Sequence, residues 1–167
     1  MLDAGMYEGI EADRSRKTTL QAFATVILSS LAAGFGASNH LGGHLTAFAG
    51  LTALAIVTWA AWSMLMFQIG TRLLPEPATR SDWPELLRTI GFAAAPGLLQ
   101  VFAVMPRMTV PVFVITGLWM FAAMVVAVRH ALDYSSIRRA LAVCGIAALL
   151  SLALALIVAL LFELGTS

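Results

Sequence analysis

Five long apolar blocks make up most of this chain, and they limit its possible folds more than any other feature. None of them contains a charged residue, and they cover residues 18–38, 47–69, 89–105, 110–128 and 140–162. At 1.5 Å per residue, about twenty residues of helix cross the ~30 Å hydrocarbon core of a bilayer. Apolar residues make up 60% of the chain and charged residues 11%, whereas soluble domains are roughly 25% charged. The sequence therefore predicts an all-α polytopic membrane protein, a bundle of five transmembrane helices.

Basic residues are distributed unequally between the segments that connect these blocks. With five crossings, nine of the ten Lys and Arg residues lie on one side of the membrane and only Arg107 lies on the other. Short segments rich in Lys and Arg are retained in the cytoplasm. We therefore expect a cytoplasmic N-terminus, an outside C-terminus and a location in a cell membrane of the bacterial inner-membrane type. The nine residues are Arg14, Arg16, Lys17, Arg72, Arg80, Arg88, Arg129, Arg138 and Arg139.

The same pattern divides the chain into three parts. Residues 1–17 alternate acidic and basic residues without an apolar core, which predicts a cytoplasmic tail. Residues 18–163 form the five-helix transmembrane domain, and residues 164–167 form a short C-terminal tail. Because the crossings consume most of the length, no room is left for a separate soluble catalytic domain.

The longest polar connection, residues 70–88, contains a helix-start pattern before the third block. Asp82 can accept hydrogen bonds from unpaired backbone N–H groups, and Pro84 needs no donor in a first turn. Glu85 stands where a capping box places its acid. We expect a helix to begin here and to carry Trp83 into the interface from the cytoplasmic side.

The third block combines residues that disfavour a straight helix. It contains Gly91, Pro96, Gly97 and Gln100 within a short apolar stretch. A proline in a helix interior removes one hydrogen bond and clashes with the carbonyl four residues earlier. In lipid the freed carbonyls must be covered by neighbouring helices. We therefore predict a kinked or unwound third crossing that lies centrally in the bundle and serves packing. A substrate path at this break is the alternative.

Three stretches in the second half of the chain resemble the Yip family, the membrane proteins named for binding Ypt/Rab-type GTPases, and specifically its bacterial branch. The resemblance implies five transmembrane helices with a cytoplasmic N-terminus, adaptor roles in vesicle traffic and membrane shaping, and no assigned enzymatic activity. In that family an arginine precedes a glycine, aromatic, small-residue and proline segment, as Arg88 does here. The stretches are L-L-R-T-I-G-F-A-A-A-P (86–96), L-W-M-F-A-A-M-V-V-A-V-R-H-A-L-D-Y (118–134) and S-I-R-R-A-L-A-V-C (136–144).

The densest group of polar residues follows the fourth block. If the fourth helix continues beyond the membrane, Arg129 and Asp133 stand one turn apart and can pair as a structural clamp. Binding of anionic lipid headgroups is the alternative, since guanidinium groups suit phosphate and the cytoplasmic leaflet is negative. We take these residues, with the arginine before the kinked span, as the candidate lipid- or partner-binding cluster: Arg88, Arg129, His130, Asp133, Arg138 and Arg139.

Catalytic and metal-binding groups are not assembled by this sequence. Asn39, His40 and His44 lie in one glycine-bearing turn without the third or fourth ligand that a metal site needs. His130 lies on the other side of the membrane, so it cannot join them or complete a triad. The single cysteine, Cys144, lies in an apolar block and is expected to be a packed thiol. We predict no enzyme activity, no metal and no cofactor.

Two functional hypotheses remain at the level of the sequence. The first is a non-enzymatic scaffold or adaptor that contacts membrane lipids, with anionic headgroups as one class, and other membrane proteins or further copies of the chain. The second is a small permease, channel or transporter subunit with its path at Pro96 and Gln100. No module for binding nucleic acid is present. A water-filled cavity at Gln100 would favour transport, and dry helix packing would favour the scaffold.

Overall fold

The computed structural model describes residues 16–39, 42–75 and 83–166, and the side chains within them except those of residues 16 and 154–166. This part of the chain contains five α-helices, which confirms the predicted number. Residues 1–15 of the predicted N-terminal tail, His40, the arginine at position 80, the Asp82 cap and Ser167 lie outside the described residues. The helices are α1 (Arg16–Ser38), α2 (Leu45–Gln68), α3 (Trp83–Ala93), α4 (Thr109–Ala131) and α5 (Ile137–Thr166).

Two of these helices continue into less common helical forms. A π-helical turn, Ile69–Leu73, extends α2, and a 3₁₀ segment, Ala95–Val104, follows α3. With these extensions, four segments are long and apolar enough to cross a membrane: Lys17–Ser38, Leu45–Leu73, Trp83–Val104 and Thr109–Ala131. The fifth predicted crossing lies within α5, which is 30 residues long.

The break predicted in the third crossing is confirmed, and it is unusually long. α3 ends at Ala93, and the chain then turns in 3₁₀ form for ten residues with Pro96 in its first turn. Runs of 3₁₀ helix longer than three or four residues are uncommon because their hydrogen-bond geometry is poorer. The hydroxyl of Ser29 on α1 donates to the carbonyl of Ala94 at 2.9 Å. A neighbouring helix therefore supplies a hydrogen bond at the break, as lipid surroundings require.

The 3₁₀ segment lies between α1 and α4, and two glycines allow this close packing. A Cβ on Gly36 of α1 would collide with the carbonyl oxygen of Gln100 and the side chain of Ala103. A Cβ on Gly97 would press on Ser29 and on the sulfur of Met120. Small residues that let backbones approach are the usual means of packing helices in lipid, where burial from water supplies no driving force.

The closely packed core lies toward one end of the bundle, which we call the basic end. At this end α2 and α4 finish, α3 and α5 begin, and the described arginines of the candidate cluster are found. The opposite end contains the turn at Gly42 and Gly43 and the loop carrying Arg107, and we call it the glycine-turn end. The largest fully buried apolar side chains of the core are Met66, Leu86, Ile90, Val128, Leu132, Val143 and Cys144.

Candidate functional site

The side chain of Tyr134 links the loop between α4 and α5 to the end of α2 by hydrogen bonding. Its hydroxyl lies 2.9 Å from the carbonyl oxygen of Gly70 and 2.9 Å from that of Leu74, so its single proton is shared between two acceptors of the π-helical extension. Glycine at position 70 suits this contact, because a Cβ there would require the side chain of Leu132 to shift. The basic end is therefore closed by contacts between segments about sixty residues apart in sequence.

The end of α4 differs from the arrangement that a clamp between Arg129 and Asp133 requires. The N–H of Tyr134 donates to the carbonyl of Arg129 at 2.9 Å, and the N–H of Asp133 donates to that of His130 at 3.0 Å. Asp133 has φ 52°, so these bonds form a Schellman motif, which ends a helix. α4 therefore stops at Ala131, and no ion pair joins Arg129 to Asp133 in the part of the chain that the structure describes. The helical continuation on which the clamp hypothesis rested is wrong.

Two further members of the cluster, Arg138 and Arg139, lie at the start of α5. The Nη1 of Arg139 donates to the carbonyl of Pro75 at 3.2 Å, which adds a second link between this loop and the end of α2. The backbone N–H of Arg138 donates to the hydroxyl of Ser136 at 3.2 Å. Both arginine side chains are exposed, and His130 is half-buried at the end of α4. The structure thus brings the cluster to one end of the bundle on three different elements.

Arg88 differs from the other arginines because it is buried. Only 7% of its surface is exposed, and its Nε has no hydrogen-bond acceptor among the described residues. No carboxylate of the described residues pairs with it. It lies on α3 one turn before Gly91, whose Cα packs against Ala22 of α1. A buried cation is costly unless it is paired and hydrogen-bonded, so Arg88 is the strongest local feature of the basic end.

An apolar groove opens nearer the glycine-turn end and extends to the middle of the bundle. Its volume is about 520 Å³, and the four elements that wall it are α1, α2, the 3₁₀ segment and α4. Sequence reasoning singled out Gln100 but missed the cavity beside it, because a groove depends on how far helices splay. The lining residues are Ala33, Ala37, Leu51, Leu54, Ala55, Thr58, Trp59, Trp62, Gln100, Phe113, Gly117, Met120, Phe121 and Met124.

The few polar groups of the groove are held by the protein or buried in its wall. The Nε2 of Gln100 donates to the hydroxyl of Thr116 at 3.3 Å, and that hydroxyl lies 2.7 Å from the carbonyl of Val112. The indole nitrogens of Trp59 and Trp62 are buried and lack an acceptor among the described residues. Gly117 faces open space, since a Cβ there would meet nothing within 4 Å. The groove thus offers hydrocarbon and aromatic surface, with little to hold water.

Apolar helices of membrane-spanning length, packed through small residues, define a multi-pass membrane protein. A family model described as the Yip1 domain matches residues 8–158, and the chain belongs to this family. The family resemblance noted from the sequence is thereby confirmed, whereas its assignment to the bacterial branch stays a prediction. A search of curated proteins and a search of solved structures give no match.

Proposed function

We propose that this protein is a non-enzymatic scaffold or adaptor of the Yip type, whose basic end binds anionic groups of lipids or of other membrane proteins. The observation that carries the proposal is Arg88, a buried arginine whose Nε finds no acceptor among the described residues. Charged groups inside membrane proteins are expensive, and they mark functional positions where they occur. An anion supplied from outside the chain would offset this cost.

The surroundings of Arg88 favour an external anion at the same end. Arg129 lies half-buried at the end of α4, and Arg138 lies exposed at the start of α5. A guanidinium binds phosphate or carboxylate through two parallel hydrogen bonds, and the cytoplasmic leaflet carries anionic lipids. We place the basic end in the cytoplasm and the protein in the bacterial inner membrane, in agreement with the distribution of positive residues.

The anion hypothesis is tested by Arg88→Met, which keeps the long side chain and removes the charge. In nanodiscs of phosphatidylcholine, we expect the variant to unfold at the same temperature as the unaltered protein or higher, because an unpaired buried charge is removed. Replacing part of the lipid by phosphatidylglycerol should raise the midpoint of the unaltered protein, since a ligand of the folded state stabilises it. This rise should be lost in Arg88→Met.

Arg72→Met is the matched control, because it removes one exposed positive charge from the same end of the bundle. It should retain the stabilisation by phosphatidylglycerol. If Arg88→Met retains it as well, the proposed binding of anionic groups at Arg88 is wrong.

The orientation is tested by labelling single cysteines in a Cys144→Ser background. Ser15→Cys should react with a membrane-impermeant maleimide only from the cytoplasmic side, and Thr166→Cys only from outside. The reverse pattern would place the basic end outside and would remove the cytoplasmic leaflet as the source of its ligands.

A transporter subunit is the second candidate, and the broken third crossing favours it. The break at Pro96 and a polar side chain next to a cavity resemble the broken helices that line transport paths. Gly117→Cys in the Cys144→Ser background would test it. Reaction with a membrane-impermeant aqueous thiol reagent would favour a path, and protection would favour the scaffold.

A further inference from the structure

The groove has the position expected of a site for hydrocarbon. Every one of its walls belongs to a segment long and apolar enough to cross a membrane, so it lies at the depth of the acyl chains. A buried water needs two to four polar partners. The polar groups of this lining are the side chains of Gln100 and Thr58 and the indole N–H groups of Trp59 and Trp62, which are buried in its wall. An acyl chain, by contrast, gives up no hydrogen bond when it moves from the apolar bilayer into an apolar groove.

The length of the groove matches one leaflet. Its lining runs from Leu51 to Trp62 on α2 and from Phe113 to Met124 on α4, which is about 16 Å along each helix at 1.5 Å per residue. One leaflet occupies half of a hydrocarbon core of about 30 Å. A volume of about 520 Å³ also falls within the roughly 300–1,000 Å³ of ligand pockets.

The position of the groove along α2 indicates which leaflet supplies the chain. Leu51 lies two turns from the start of α2 at the glycine-turn end, whereas Trp62 lies three turns from the end of the span at Leu73. The groove therefore begins near the glycine-turn end and finishes close to the middle of the membrane.

Among the described residues, the one arginine or lysine of that end stands where a headgroup would lie. Arg107 is exposed, has φ 63° and belongs to the short loop that joins the 3₁₀ segment to α4, which are two walls of the groove. Non-glycine residues with positive φ are uncommon, and no hydrogen bond or ion pair holds its side chain in the described part of the chain. Its guanidinium complements a phosphate.

We infer that the groove holds one acyl chain of a bilayer phospholipid from the leaflet at the glycine-turn end, with the phosphate of that lipid on Arg107. Gly117 provides the space for the chain, since it leaves open the wall of α4 that any larger residue would fill. The inference does not depend on the anion site at Arg88, which lies at the other end of the bundle.

Quenching of tryptophan fluorescence tests the inference in the full chain in nanodiscs. Trp83→Phe and Trp119→Phe leave Trp59 and Trp62, both in the groove, as the emitting residues. Phosphatidylcholine brominated in the middle of its acyl chains should quench this emission, and aqueous acrylamide should not. Gly117→Leu should lose most of the quenching by the brominated lipid. Gly50→Leu, also a glycine with open space at its Cβ but outside the groove lining, should retain it.

Arg107→Gln adds a readout of the phosphate contact. It should require a higher mole fraction of brominated lipid for the same quenching, without a change in acrylamide quenching. The inference is overturned if brominated lipid leaves the two tryptophans unquenched in the unaltered groove, since protein would then fill it. It is also overturned if acrylamide quenches them, because water would then fill the groove, or if Gly117→Leu and Gly50→Leu are quenched alike. The first two results do not depend on how the glycine variants fold.

Discussion

The two ends of the bundle are built differently although their helices have similar compositions. At the basic end, Leu86 and Leu132 are fully buried, and the Tyr134 hydroxyl, shared between the carbonyls of Gly70 and Leu74, closes the loop onto α2. Toward the other end, α2 and α4 stand apart, and Leu54 is 59% exposed beside the groove. In lipid, burial from water does not force helices together, so they close only where packing and hydrogen bonds do so. The open region is therefore available to ligands.

Glycine illustrates the contrast at single positions. At the basic end, the side chain of Leu132 lies so close to Gly70 that a Cβ there would force it to move. In the groove, Gly117 faces open space, with no atom within 4 Å of where its Cβ would lie. The same residue type allows contact in one region and leaves a cavity in the other.

The largest effect is expected from truncating the core of the basic end. Leu132→Ala should lower the free energy of unfolding by about 2–5 kcal/mol, because it leaves a cavity among fully buried side chains. Leu54→Ala in the groove is the matched control and should change it by about 0.5 kcal/mol or less, since that side chain is largely exposed. Unfolding by sodium dodecyl sulfate in mixed micelles measures both. Equal losses would show that the groove region is as closely packed as the core.

The next effect comes from the hydroxyl that closes the basic end. Tyr134→Phe keeps the ring but leaves the carbonyls of Gly70 and Leu74 without this donor, which should cost about 1–3 kcal/mol in the same measurement. Hydrogen exchange at residues 69–74 should accelerate as the π-helical turn loosens. Unchanged stability and exchange would mean that packing alone holds this loop.

A smaller effect is expected at the break in the third crossing. Ser29→Ala removes the donor to the Ala94 carbonyl and should cost about 1 kcal/mol. Ser30→Ala is the control, because Ser30 is equally buried but its hydroxyl makes no hydrogen bond in the described part of the chain. If the two variants unfold alike in the same titration, the contact from α1 does not stabilise the break.

The smallest effect is expected at Gln100. Gln100→Leu should lower the free energy of unfolding by only about 0.6 kcal/mol, the average for hydrogen bonds between membrane helices. The reason is that the Thr116 hydroxyl keeps its contact with the carbonyl of Val112. A loss of several kcal/mol in the detergent titration would instead mark Gln100 as the centre of a polar network and would favour the transport hypothesis.

Features that depend on short stretches of chain could be predicted from the amino-acid sequence. Charge-free blocks predicted five helices, Pro96 predicted the break, and the pattern around Arg88 indicated the Yip family. Each of these follows from residues within one element, through helix length, the missing N–H of proline or a local motif.

Features that join distant elements could not be predicted and depend on how the helices pack. Tyr134 meets Gly70 across 64 positions, and the groove arises from the spacing of four segments. The pairing of Arg129 with Asp133 fails because the Schellman motif ends the helix two residues before Asp133. The burial of Arg88 is likewise set by its neighbours. Hydropathy and spacing along one chain cannot supply these distances, since helices in lipid approach only as closely as the facing side chains allow.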